Sequence, residues 1–160
     1  MLIRFLPAII TIVLDQATKL YAVDKLTLHQ PVPVMPSFNF TLMYNEGAAF
    51  SFLSDAGGWQ RWLFSGLAFA VSIFLIGWLI RLERREKWLA LALSLILGGA
   101  IGNLIDRVAY GYVVDFVQWY YDRFYWPAFN IADAAITVGT VLLLSLSVFQ
   151  KDESQGLEKS

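Results

Sequence analysis

The chain contains no cysteine, and its only histidine, His29, lies in a stretch followed by prolines. Thiol nucleophiles, disulfides and cysteine-ligated metals are thereby excluded, and neither an H-E-x-x-H zinc site nor a multi-histidine phosphatase site can be assembled from one imidazole. A serine–histidine dyad would have to recruit His29, around which no motif lies. Charge is also scarce, at 16% of residues with a net charge of -1. With no clustered basic face, nucleic acid is not expected as a partner. Carboxylates, hydroxyls, lysine and arginine remain for chemistry.

What the chain has in abundance is apolar surface: 58% hydrophobic residues, 16% aromatics and a mean hydropathy of +0.56. That composition describes a membrane-embedded protein. Four apolar stretches, Phe5 to Val23, Trp62 to Ile80, Trp88 to Ile105 and Phe129 to Phe149, are each near the roughly 20 residues that cross about 30 Å of hydrocarbon. The expected fold is an all-α membrane protein of four transmembrane helices with a small extracytoplasmic β-rich subdomain. Residues 1–149 form a single four-span domain, and residues 150–160, rich in Lys, Glu and Ser, are expected to be a disordered cytoplasmic tail. No internal repeat is evident. Arg4 before an apolar run invites a signal-peptide reading, but Asp15, Gln16 and Lys19 interrupt that run and no small-residue cleavage site follows, so the first helix reads as a retained anchor. Arg4, Arg81, Arg84, Arg85, Lys87, Lys151 and Lys159 fall on one side and Lys25, Arg61, Arg107 and Arg123 on the other. By the positive-inside rule both termini are cytoplasmic.

The outer segments are then about residues 24–61 and 106–128. In the first, Phe38, Phe40, Leu42 and Tyr44 alternate with Asn39, Thr41 and Met43, which is strand periodicity. Pro31, Pro33 and Pro36 are expected to limit pairing toward the N-terminus, and Tyr112 to Val117 offers a second strand. Trp119, Tyr120, Tyr121, Phe124, Tyr125 and Trp126 crowd the connection to the last helix, and fit an aromatic belt at the headgroups better than a ligand cage.

Asp133 stands in the first turn of the last apolar run, where a carboxylate in or beside hydrocarbon calls for a partner or a function. Polar pairs at helical spacing mark three helix ends: Asp15 with Lys19, Asn103 with Arg107, and Asn130 with Asp133. The topology lets all three converge on one outward-facing pocket, the last two pairs lying at the outer membrane surface. Asp115, flanked by apolar residues in a β-prone run, adds a second acid on that side. Blander readings weigh against each. Asp15 with Lys19 is first a bracing ion pair, and Asn103 with Arg107 suits helix capping or snorkelling as well as it suits holding two carboxylates in register. Gly98 and Gly102 form a G-x-x-x-G pair whose usual role is close helix packing. Pattern alone does not rank Asp115 above Asp106.

Five short runs separate these readings: Asp15-Gln16-Ala17-Thr18-Lys19, Asn45-Glu46-Gly47-Ala48-Ala49-Phe50, Gly102-Asn103-Leu104-Ile105-Asp106-Arg107, Val114-Asp115-Phe116 and Phe129-Asn130-Ile131-Ala132-Asp133. Together, in order over roughly residues 15 to 140 of a four-span chain, they resemble bacterial lipoprotein signal peptidase, also called signal peptidase II. The resemblance implies an aspartic intramembrane peptidase of the inner membrane that removes the signal peptide of a prolipoprotein before a diacylglyceryl-modified cysteine. Asp115 and Asp133 match the family's catalytic positions. Two carboxylates sharing a site hold one proton between them and act as acid and base on a water, so no metal or cofactor is required. Asn45, Asn103, Arg107 and Asn130 are expected to form the polar shell, Gly47 and Ala48 to leave room for an extended peptide, Asp15 and Lys19 to support, and Phe50 to Gly58 to act as a lid. The implied partners are the lipid-modified substrate and membrane lipid, with the enzyme a monomer. Two rival classes are a proton-coupled transporter using Asp15, Lys19 and Asp133 as a relay, and a non-catalytic scaffold. Neither a repeat nor a broken helix supports the first, and a scaffold leaves the one-sided polar residues unexplained.

Overall fold

The computed structural model describes residues 2–47 and 59–157, with side chains through residue 148. Ala48 and the expected lid over Phe50 to Gly58 lie outside the described residues. A 3-10 turn, Leu2–Phe5, leads into helix α1, Leu6–Lys25, followed by strands β1, Pro31–Met35, and β2, Phe38–Asn45. Helices α2, Trp59–Arg81, and α3, Lys87–Ala109, come next, then strands β3, Val113–Tyr121, and β4, Phe124–Tyr125, and finally helix α4, Ile131–Leu157.

All four helices contain a stretch long and apolar enough to cross a membrane. In α3 the apolar window is 56% buried, against 28%, 22% and 17% in the other three, because α1, α2 and α4 all pack on it. The outer faces carry bare apolar side chains such as Ile9, Val13, Phe69, Phe74, Val141 and Leu144. In water such faces would demand a partner; in lipid they are solvated. Small residues set the helix spacing. A Cβ on Gly98 would fall 2.7 Å from the Thr11 Cβ and 2.8 Å from the Ala8 carbonyl oxygen, and one on Gly102 would fall 2.6 Å from the Asp15 carboxylate. The G-x-x-x-G pair is therefore where α1 and α3 touch, as its spacing suggests.

The helix termini are tied by hydrogen bonds between residues distant in sequence, as backbone groups without intrahelical partners require. Ala8 N–H in the first turn of α1 donates to Ser94 Oγ at 2.9 Å. Arg4 Nη1 donates to the Leu79 and Leu82 carbonyls at 3.1 and 2.6 Å, closing the end of α2. Arg61 Nη2 does the same for the Val108 carbonyl at the end of α3, at 2.9 Å.

The four strands form one antiparallel sheet in the order β1-β2-β3-β4, at the end of the bundle where α1 and α3 finish and α2 and α4 begin. The expected pairing of the two outer segments is present, with Met43 opposite Asp115 and Phe40 opposite Val117. One expectation is corrected. The proline-rich stretch does not stop the sheet: Pro31–Met35 pairs with β2 as an edge strand, a place where missing N–H donors are tolerated. Helix α4 runs to Leu157 through Gln150, Lys151 and Glu153, all good helix formers. Ala22, Leu42, Val114 and Phe116 join the sheet to the bundle, whereas Leu75, Leu79, Leu93 and Leu97 make a purely apolar core in the other half.

Candidate active site

The first turn of α4 is built by a reciprocal cap. Asn130 precedes the helix, its Oδ1 accepts from Asp133 N–H at 2.9 Å, and Asp133 Oδ2 accepts in return from Asn130 N–H at 3.3 Å. Ala132 N–H, between them, donates to Asp15 Oδ1 at 2.9 Å. Asp15 lies midway along α1, so the start of α4 is sunk about 15 Å below the end of α1, taking ~1.5 Å per residue for the ten residues to Lys25. The Asn130–Asp133 pair is thus recessed inside the bundle, rather than at the surface where sequence spacing placed it.

Asp15 belongs to a charged cluster buried to 0–3% exposure: Lys19 Nζ lies 2.8 Å from Asp15 Oδ2 and 2.9 Å from Asp106 Oδ2. Gln16 Nε2 bridges the same acids, donating to Asp15 Oδ2 at 3.1 Å and Asp106 Oδ1 at 2.9 Å. Asp106 Oδ2 also accepts from Val114 N–H at 3.0 Å, so the cluster holds the strand residue next to Asp115. The expected Asp15–Lys19 pair is therefore a triad with a glutamine clamp. Asp106 and Gln16 received no role from the sequence, although Asp106 follows Gly102 by four residues and so shares the face on which α1 packs.

Asp115 and Asp133 are held differently, by three side-chain amides whose orientation is forced. Asn103 Oδ1 faces the Lys19 ammonium at 3.0 Å, which can only donate, so its Nδ2 turns to Asp133 Oδ1 at 2.7 Å. Asn130 Oδ1 is taken by the Asp133 N–H, and its Nδ2 donates to Asp115 Oδ1 at 2.7 Å. Asn45 Oδ1 accepts from Gly47 N–H at 2.9 Å, and its Nδ2 donates to Asp115 Oδ2 at 3.1 Å. Among the described residues neither carboxylate forms an ion pair. Asp115 is 2% exposed. Burial pushes its carboxyl from 3.8 up to about 7, helped by the charge of Asp133 and opposed by the Asn45 and Asn130 amides and by Lys19.

The remaining expected residues divide. Arg107 donates to the Asn103 carbonyl at 3.4 Å and lies over the Phe64 ring at 5.5 Å, so it braces the helix end rather than pairing with an acid. Gly47, expected to leave room for a peptide, has φ +101 and is packed so closely that a Cβ would fall 2.7 Å from the Phe64 ring. Its smallness here serves the turn that locks Asn45. His29 lies in the turn before β1 with φ 61, its backbone N–H donating to the Leu42 carbonyl at 2.9 Å.

Buried carboxylates, amide donors and recessed placement suit hydrolysis, and the comparisons with known proteins agree. The family model described as Signal peptidase (SPase) II matches residues 7–149. The chain belongs to the signal peptidase II family. Signal peptidase II relatives include the lipoprotein signal peptidase of Pseudomonas putida, 56% identical over 92% of this chain and 87% of that protein. That of Acinetobacter baylyi is 58% identical over 86% of this chain and 76% of its own. A bacterial membrane enzyme solved by the in meso method superposes with a TM-score of 0.79 at 32% identity, covering 95% of this chain and 90% of that one. As a signal peptidase II, the chain is a peptidase of the aspartic type, and a membrane-embedded one.

Proposed function

We propose that this signal peptidase II removes signal peptides from diacylglyceryl-modified prolipoproteins, cutting before the lipidated cysteine, with Asp115 and Asp133 as its catalytic aspartates. The observation that carries the reading is the set of three locked amides, Asn45, Asn103 and Asn130, which point donors at two acids and bring no cation to either. Two carboxylates so placed share a proton instead of being neutralised outright. Burial raises the Asp115 carboxyl to about 7, which supports the pair retaining one proton near neutrality. With that proton on Asp115, Asp133 acts as base, and the exchanged roles give the same balance. A water between them loses a proton to Asp133 as its oxygen attacks the scissile carbonyl. Asp115 donates to the developing oxyanion, and the proton on Asp133 then passes to the leaving amine. The side-chain donors are oriented before substrate arrives, so little reorganisation is needed in the transition state.

Recession of the first turn of α4 suits a substrate that slides in from the bilayer, its acyl chains remaining in lipid while the peptide reaches the acids. The reading places a single, monomeric four-span domain in the inner membrane, with both termini cytoplasmic and the sheet and aspartates facing the periplasm at the outer leaflet. The basic residues at the α2–α3 connection support that orientation. The test is cleavage by the purified chain in detergent of a diacylglyceryl-modified prolipoprotein and of its unmodified form. Strong preference for the modified substrate is expected, and equal cleavage of both would overturn the lipid requirement. Because the chain has no cysteine, orientation can be read from single introduced cysteines. Trp126→Cys should react with a membrane-impermeant thiol reagent in intact spheroplasts and Arg84→Cys should not.

A further inference from the structure

A cleft of about 790 Å³ lies at the end of the bundle opposite the carboxylates, between the start of α1, the end of α2 and the start of α3. Apolar side chains including Pro7, Ile80 and Leu91 line it together with Arg4, Arg84 and Lys87. Two acids also line it, but both are engaged: Glu83 pairs with Arg85 at 2.8 Å, and Glu86 Oε2 accepts the Glu83 N–H at 2.6 Å. Arg84 and Lys87 are exposed and have no partner among the described residues, while Arg4 uses only Nη1 on the carbonyls of α2.

We propose that this cleft binds one anionic phospholipid, its phosphate at Arg84, Lys87 and the free edge of Arg4 and one acyl chain along Pro7, Ile80 and Leu91. The occupant follows from the combination. Unpaired cations select a negative headgroup, apolar side chains lie beside them in the same cleft, and the cleft lies at the ends of three helices apolar enough to span a membrane. A soluble anion would leave the apolar side chains uncovered, and a zwitterionic lipid would bring a cation of its own against Arg84 and Lys87. Arg4 is the joint between ligand and fold, because the same guanidinium closes the end of α2. An occupied cleft therefore ties α1 to α2 at the end away from the aspartates. This inference is independent of the proposed cleavage reaction.

The test is native mass spectrometry of the intact chain in detergent, titrated with phosphatidylglycerol or with phosphatidylcholine of the same acyl chains. The wild type should bind the anionic lipid on the order of tenfold more tightly. Arg84→Gln with Lys87→Gln should abolish that preference, whereas Arg81→Gln, at the same end but outside the cleft wall, should keep it. Equal affinity of the wild type for the two lipids would overturn the proposal. So would an equal loss in the Arg81→Gln protein, which would mean diffuse surface charge. Displacement of the lipid by millimolar inorganic phosphate would likewise refute it, since the apolar side chains would then contribute nothing. Should the double variant prove unstable, the wild-type comparison of the two lipids and the phosphate competition still decide the matter.

Discussion

Two pairs of aspartates lie in the same half of this molecule, and their surroundings differ in one respect. Asp15 and Asp106 close on the Lys19 ammonium at 2.8 and 2.9 Å. Among the described residues, Asp115 and Asp133 accept hydrogen bonds from neutral amides and a backbone N–H and form no ion pair. The first pair has its charge compensated in place, so it braces α1, α3 and the start of α4. The second pair is held by dipoles and forms no ion pair among the described residues, which is the arrangement on which the proposed proton sharing rests. The charged cluster also supports the amide one: Lys19 turns Asn103 toward Asp133, and Asp106 holds the strand that carries Asp115. Compensation, more than burial, separates the carboxylates that hold the fold from those suited to react.

The contrast breaks most sharply on loss of a reactive acid. Asp115→Asn and Asp133→Asn should each lower cleavage by ~10³-fold or more, as expected for removing an acid–base partner, while the protein still inserts and folds. Turnover within tenfold of wild type in either variant, measured on lipidated substrate, would end the two-aspartate assignment.

Next in size is loss of the compensating cation. Lys19→Ala strands two buried acids and should reduce stability by ~3–5 kcal/mol, read as thermal unfolding in detergent. Adding Asp15→Ala should recover only part of this, because Asp106 remains, and adding Asp106→Ala should recover more. If instead Asp15→Ala is fully stable and binds substrate but does not turn over, Asp15 belongs with the reactive pair.

A subtler effect sharpens the comparison through pH. Asp115 is raised from 3.8 to about 7 by folding, so the folded state binds its proton more tightly than the unfolded state. Its contribution to stability is present below about pH 4 and is lost as the pH rises toward 7. Thermal stability of the wild type should therefore slope downward over that window, and Asp115→Asn should make the slope shallower. An unchanged slope would mean that Asp115 is not held protonated. Cleavage should decline on the alkaline side of pH 7 for the same reason.

Smaller still is Gly47→Ala, which sets a side chain at φ +101 and against Phe64. A loss of about 1–2 kcal/mol in stability or transition-state binding is expected, acting through the Asn45 amide. The smallest effect is none: EDTA should leave activity unchanged, since the attacking water is held by carboxylates. Reversible loss of activity on chelation would contradict the proposed chemistry.

The spans were readable because apolar runs near twenty residues have few other uses, and the strands because Phe38 to Tyr44 alternates. The edge strand was hidden by its prolines, which forbid a central strand but not an edge. The recessed start of α4 was hidden because helix ends in sequence carry no depth; the Ala132 bond to Asp15, 117 positions away in sequence, sets it. Asp106 was legible as an acid but not as a partner, since nothing in Gly102 to Arg107 says that Lys19 lies across the helix interface.

Composition and pattern alone determined that this chain lives in a membrane and that thiol and polyhistidine chemistry are closed to it, because those conclusions depend on residue type and run length, whereas the preference for Asp115 over Asp106 came only from the likeness of five short runs to signal peptidase II. Only the tertiary structure decided which carboxylates are neutralised and which are not. Charge compensation is set by distances such as the 2.9 Å between Lys19 and Asp106, residues far apart in sequence, and only packed helices bring such residues together.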